Sequence, residues 1–188
     1  MITRFAPSPS GPLHLGHGFS ALTAWTMAQA AGGTFLLRIE DIDQSRARPE
    51  WEALIFEDLH WLGLSWPEPV MRQSDRQTAY DAALDALWAR GLLYPCTCTR
   101  RDIQDAARAP QDGAPLVGPD GLVYPGTCRG ATRTGARPHG AALRLDMGKA
   151  IGMIAPTGLR FHETGQGLAG ETGEITFTPD WLSQTVGD

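Results

Sequence analysis

Two imidazoles, His14 and His17, stand three residues apart in the stretch RFAPSPSGPLHLGHG at positions 4–18, directly after a run of prolines, serines and glycine. On a helix this spacing lets both rings point from one turn toward the same spot. A helix start adds unpaired N–H groups and the positive end of the dipole, which together suit a phosphate. Gly16 between the histidines leaves the backbone bare, so that a flat base can lie against it. This describes a nucleoside triphosphate site in which imidazoles, rather than a lysine-bearing loop, meet the phosphates. Taken singly, a histidine here would serve as a cap, and the pair without its surroundings would also suit a metal. The common phosphate loops, G-x-x-x-x-G-K-[ST] and a G-x-G-x-x-G after the first strand, are absent.

A second group with chemistry in it is Cys96, Cys98 and Cys128, which enclose a stretch without periodicity. Three thiolates can hold zinc and so order a segment that has too little apolar surface to order itself; three unrelated buried thiols are the bland alternative. A closed structural site needs one more ligand. The odd cysteine number, with no export signal, argues against a disulfide framework.

The elements that must position these residues follow from periodicity. ITRF (2–5) reads as a strand ending at Ala6-Pro7, and His14 to about Ala31 as a helix with Leu15, Phe19, Leu22 and Thr26 on one side, closed by Gly32-Gly33. TFLLRIE (34–40) is nearly continuously apolar, as a strand buried on both faces of a parallel sheet would be. Strand, turn, helix and strand make a βαβ unit, whose ligands bind beyond the carboxyl ends of the strands. Pro49 opens a second helix with Trp51, Leu54, Ile55, Leu59 and Leu62 as its buried stripe and Gly63 at its end. A third helix has Ser74 and Gln77 as a capping box, a stripe of Tyr80, Ala83, Leu84, Leu87 and Trp88, and Gly91 as its stop. Residues 105–140 predict an irregular insertion; AALRLDM (141–147), GLRFHE (158–163) and EITFTP (174–179) read as strands. Asp41 and Asp43 turn the chain after the second strand.

With 188 residues, 42% of them hydrophobic and 20% charged, the chain can bury a core, which excludes disorder as the default. It has no apolar run long enough to cross a membrane and no signal-peptide core at its N-terminus, so a cytoplasmic location is expected. The net charge of -5 offers no global attraction to nucleic acid, and Lys149 is the only lysine among 16 basic residues. RNA would have to be held by a local patch such as Arg100, Arg101, Arg129, Arg133 and Arg137.

RFAPSPSGPLHLGH, LRIEDID (37–43) and LHWLGLSW (59–66) together carry a family likeness. The chain resembles the catalytic domain of glutamyl-tRNA synthetases and, more closely, their truncated relatives the glutamyl-Q tRNA(Asp) synthetases. HLGH corresponds to the HIGH signature of class I aminoacyl-tRNA synthetases. The resemblance implies a Rossmann-type α/β fold that makes glutamyl-adenylate from L-glutamate and ATP with Mg2+, with His14 and His17 catalytic and His14, Gly16 and His17 on ATP. It also implies a glutamate site of Arg4, Phe5, Ala6, Pro7, Ser8 and Glu40. Arg4 would meet a carboxylate; Ser8 and Glu40 would face the ammonium. For the zinc it implies one structural ion on Cys96, Cys98, Tyr124 and Cys128. A phenol ionises only near pH 10 unless a metal assists, so His139 stays open as the last ligand. The acceptor implied is queuosine in the anticodon of tRNA(Asp).

The expected organisation is the first half of the catalytic domain over 1–94, a zinc-binding insertion over 95–140, and a continuation toward the second half over 141–188. A second, lysine-bearing ATP signature is missing, so an incomplete catalytic domain is expected. Two other readings stay open: an N-terminal piece of a glutamyl-tRNA synthetase charging tRNA(Glu), and a non-catalytic zinc-stabilised module that binds nucleotide or RNA.

Overall fold

The computed structural model describes residues 1–108, 117–118, 121–131, 133, 135–153, 159–165, 167, 170–186 and 188. The chain divides into two compact units, Met1–Asp81 and Ala82–Asp188.

The first unit is built on three parallel strands in the order β1 (Ile2–Phe5), β2 (Thr34–Ile39), β3 (Met71–Arg72). Helix α1 (Leu15–Ala30) crosses from β1 to β2, and α2 (Pro49–Trp61) lies between β2 and β3. Phe5, Phe35, Leu37 and Ile39 from the strands, Ala21 and Ala28 from α1, and Ile55 and Leu59 from α2 form one core. The strand alternation exposes the other face: Thr34 and Leu36 are open to solvent. The expectation that β2 is buried on both faces is therefore corrected, because in this unit both helices contribute their buried residues to a single cluster.

Helix α1 also departs from expectation. Its buried residues are the alanines, whereas Leu15 and Phe19 are 95% and 74% exposed. Small side chains let the helix lie close on the sheet, and the apolar side read from the sequence faces out. Two further contacts fix that approach. Thr3 Oγ1 donates to the Ala24 carbonyl at 2.6 Å, and Gly33 lets β2 start beside Met1, whose carbonyl oxygen would lie 1.9 Å from any Cβ at that position.

A short 3-10 turn, Ser74–Arg76, precedes α3 (Gln77–Ala89). Ser74 does not act as the expected cap. Its hydroxyl and backbone N–H both donate to the buried Asp41 carboxylate, at 2.5 and 2.9 Å, which ties the end of β2 to the entry of α3.

In the second unit β4 (Leu93–Cys96) leads to α4 (Arg100–Arg108), so part of the expected irregular insertion is helical. A small ladder of β5 (Val117–Gly118) and β6 (Gly121–Leu122) follows, and then β7 (Ala142–Leu145), which pairs antiparallel with β4 so that Tyr94 faces Arg144 and Cys96 faces Ala142. Helix α5 (Met147–Gly152) is capped by Asp146, β8 (Leu159–Glu163) pairs with β9 (Gly173–Phe177), and α6 (Pro179–Thr185) is capped by Thr178. Among the described residues no helix is long and apolar enough to cross a membrane.

Because Ile55 is fully buried in the first core, Ile55→Ala should destabilise the chain by about 2–5 kcal/mol. Leu36→Ala, on the open sheet face, should leave the denaturation midpoint nearly unchanged in the same urea titration.

Candidate functional site

His14 is the N-cap of α1, and its ring does what a serine or aspartate usually does there. His14 Nδ1 accepts from the Gly16 backbone N–H at 3.1 Å, while His17 Nδ1 accepts from the His14 backbone N–H at 3.2 Å. The two rings stack with centroids 3.8 Å apart. An Nδ1 that accepts a hydrogen bond is unprotonated, so each neutral ring carries its proton on Nε2. Both imidazoles thus hold a donor at the far edge of the ring, at a helix start that already favours anions. Burial, and then the neighbouring His14, hold His17 below the ordinary imidazole range, which keeps it neutral at physiological pH. A Cβ at position 16 would lie 3.0 Å from His14 Cε1, so only glycine leaves the His14 ring undisturbed.

The turn between β1 and α1 forms the wall of a cleft of about 300 Å³ lined by Phe5, Ala6, Pro7, Ser8 and His17, with Ser10 among its other residues. Ser8 and Ser10 also line a neighbouring cleft of about 190 Å³ with Glu40, Asp43, Arg46 and Gln73. The structure therefore brings Phe5, Ala6, Pro7, Ser8 and His17 together, and Ser8 with Glu40. Glu40 accepts a hydrogen bond from the Arg38 guanidinium. Arg4 stands on β1 opposite Leu36, open to solvent, and lines neither cleft. Arg46 was missed in the sequence: nothing in its spacing marks it, yet it lines the cleft that holds Glu40. Asp43 turns the chain after β2, as expected, whereas Asp41 instead accepts hydrogen bonds from Ser74. Burial opposes ionisation of Asp41, but the Ser74 hydroxyl and N–H hold it below the usual carboxylate range; Asp43 turns the chain by accepting from the Ser45 hydroxyl and N–H.

The second cluster forms in the other unit. The Sγ atoms of Cys96, Cys98 and Cys128 all lie within 4.8 Å of one another, and Cys98 is 3.4 Å from Cys128. The Tyr124 hydroxyl is 3.5 Å from the sulfurs of both Cys96 and Cys98, and it accepts from the Cys128 N–H at 2.9 Å. Tyr124 and Cys96 are buried, and with Tyr94 they form the second core. The Tyr124 hydroxyl, the Thr97 backbone and Cys98 lower the Cys128 thiol to about 6, so its thiolate form is available at neutral pH. The Tyr124 hydroxyl favours the Cys98 thiolate, but Cys128, desolvation and Cys96 together push the thiol up. Three thiols and a phenol converging from three points of the chain fit a four-coordinate divalent cation. His139 is exposed in a turn and does not belong to the group of close metal-capable side chains found among the described residues.

The arginines expected to form an RNA patch are largely engaged inside the unit. Arg129 pairs with Asp188 at 2.6 Å, Arg133 with Asp146 at 2.9 Å, and Arg137 with Asp85 at 2.7 Å. Arg100 and Arg101 stay exposed at the start of α4.

Residues 1–116 match the family model for the catalytic domain of class I tRNA synthetases (E and Q). The chain is 56% identical over its whole length to a glutamyl-Q tRNA(Asp) synthetase of Rhodobacter capsulatus, 65% of which it covers. It is 51% identical over 76% of its length to the enzyme of that name from Nocardia farcinica, covering 44% of it. It thus spans from under half to just under two thirds of these relatives. Among solved structures, a glutamate-tRNA synthetase from Elizabethkingia anophelis matches with a TM-score of 0.63 and 24% identity over 98% of this chain and 38% of that one, which shows the shared fold.

The His17 environment sets a pH dependence. Its folded value is lowered, so the neutral ring, and with it the bond from the His14 N–H, is complete at neutral pH and is lost as pH falls through that lowered value. In an NMR titration the His17 Cε1 proton should move only below the ordinary imidazole midpoint, and the His14 amide resonance should move with it.

Proposed function

The chain belongs to the class I tRNA synthetases (E and Q), and from that membership we propose that it activates L-glutamate with ATP and Mg2+ and passes it to queuosine in the anticodon of tRNA(Asp). The observation that carries this reading is the reciprocal imidazole cap. It fixes the tautomer of both rings and leaves two Nε2–H donors beside the start of α1. When a glutamate carboxylate attacks the α-phosphate, negative charge builds on the phosphate oxygens and the departing pyrophosphate, and catalysis rests on positioning and charge stabilisation. His14 and His17, with the helix dipole, would supply that stabilisation, and Gly16 would give the nucleotide close access to the backbone.

The amino acid would sit against the β1–α1 turn. Ser8 and Glu40 would face its ammonium group along the wall they share, with Phe5, Ala6 and Pro7 beside them; Arg4, which lines neither cleft, would meet a substrate carboxylate by family resemblance alone. A guanidinium suits a carboxylate because its fork can grip both oxygens. One zinc ion would be held by Cys96, Cys98, Cys128 and Tyr124, where it would act as a structural cross-link through the insertion at 95–140. The first half of the catalytic domain would then occupy 1–94, and its continuation 141–188. The names of the relatives support the queuosine acceptor over the 3' end of tRNA(Glu).

The test is glutamate-dependent exchange of pyrophosphate into ATP by the zinc-loaded chain without tRNA, followed by transfer of labelled glutamate to tRNA. Exchange by this chain would overturn the expected incompleteness of the catalytic domain, and it should fall by about a hundredfold in His14→Ala or His17→Ala, as when one charge-stabilising donor is removed. Gly16→Ala should lose exchange while its circular dichroism is retained. Label should reach tRNA(Asp) carrying queuosine and not the unmodified tRNA. Silence from the folded, zinc-loaded chain would overturn activation by these residues alone, and label on tRNA(Glu) would replace the acceptor.

A further inference from the structure

Arg144 lies on β7 directly across from Tyr94 and one step diagonally from Cys96, on the same face of the two-stranded sheet. Its long side chain follows that diagonal. The Nε–H donates to Cys96 Sγ at 3.3 Å, and the guanidinium carbon lies 3.6 Å from the centre of the Tyr124 ring. The Nη1 donates to the main-chain oxygen of Asp188 at 3.0 Å. One planar group thus touches two members of the thiol and phenol cluster at once, one by its edge and one by its face.

The charge of that cluster gives the contact its meaning. Three thiolates around a divalent cation leave one net negative charge, and an ionised phenol adds another. A negative cluster in a half-buried place is stabilised by a fixed positive charge, and a guanidinium keeps its charge at every accessible pH. The nearby carboxylate does not compete for it: the Asp188 side chain is fully buried and already receives the Tyr94 hydroxyl at 2.5 Å, Arg129 at 2.6 Å and the Met147 N–H at 2.8 Å. That network anchors the oxygen that holds Nη1, so the guanidinium is fixed on the side away from the sulfur.

We propose that Arg144 is the positioning and charge-compensating residue of the metal cluster, holding Cys96 and Tyr124 in ligating geometry and offsetting the negative charge of the metal-bound set. This rests on the reading of Cys96, Cys98, Cys128 and Tyr124 as a metal site. Partners that bond to a ligand without touching the metal commonly tune affinity, and losing one typically weakens binding by about tenfold to a hundredfold. Lysine is not an equivalent replacement, because its ammonium carries the charge but cannot stack on the phenol and grip the sulfur together.

The experiment uses the chain with zinc in competition against a chromophoric chelator, and with cobalt(II) read by its thiolate-to-metal charge-transfer band. The parent should bind one metal ion. R144Q should bind zinc about tenfold to a hundredfold more weakly, and its cobalt band should move to longer wavelength, because a thiolate without a hydrogen bond and a nearby positive charge gives up its electron more easily. R144K should lie between the two. Parent-like affinity and band position in either variant would overturn the proposal, as would weaker binding with an unmoved band, the sign of a purely structural role. Should R144Q lose its circular dichroism, R144K decides by the same criteria. A parent chain that takes up neither metal would instead overturn the metal site itself, and the role of Arg144 with it. Cys98→Ala, which should lose the metal whatever Arg144 does, separates the two failures.

Discussion

The candidate active site depends on how the first turn of α1 is closed. A helix start leaves backbone N–H groups without partners, and most proteins satisfy them with a small hydroxyl or carboxylate side chain. Here two imidazoles do so reciprocally, each through Nδ1. The consequence reaches further than stability. A carboxylate cap would place negative charge where the proposed phosphate would lie, whereas a neutral imidazole satisfies the helix with one nitrogen and turns an N–H outward with the other. On the proposed reading, capping and phosphate recognition would be one arrangement.

The rest of the first unit serves to hold that turn in place. The parallel pairing of β1 with β2 fixes where β1 ends, Thr3 fastens β1 to α1, and the alanine face of α1 sets the distance between helix and sheet. Asp41 plays the matching part at the far end of β2, joining it to the segment after β3 through Ser74. The clefts along the turn between β1 and α1 are thus bordered by segments that core packing and buried hydrogen bonds locate, although the histidines themselves are accessible. A site that acts by positioning needs such an arrangement, because charge stabilisation requires donors that do not reorganise when the charge appears.

Much of this was legible in the sequence because local signals and fold agree. The β1–α1–β2 unit, the stop at Gly63 and the left-handed glycine at Gly91 follow from period and turn chemistry, and the cysteines announced themselves by type and spacing. The misreadings share one cause. Leu15 and Phe19 are apolar yet exposed, Leu36 belongs to an apolar run yet lies on the open sheet face, and Ser74 has the right residue three positions later yet donates to Asp41. Each is decided by a partner distant in sequence, or by which face a neighbouring element covers, and neither is encoded in a local window. Arg46 escaped for the same reason: only the folding of the turn after β2 brings it beside Glu40 and Ser8.

The second unit is held together by different means. Its glycine-rich and proline-rich stretches supply few apolar side chains, and among the described residues the core around Tyr94, Cys96 and Tyr124 is small. Arginines supply part of what the core lacks. Arg133 and Arg137 are largely buried against Asp146 and Asp85, and Arg129 meets the buried Asp188 carboxylate. Surface ion pairs contribute little to stability, but a pair in which one partner is buried is costly to break, since the remaining charge is left without water or counter-charge. These contacts therefore specify where the segment lies more than they add to its stability. They also explain why an arginine-rich sequence in an acidic chain is a poor guide to RNA binding here: side chains that look like a basic patch in the sequence are used up as internal ties. Arg100 and Arg101 are exposed on the first turn of α4.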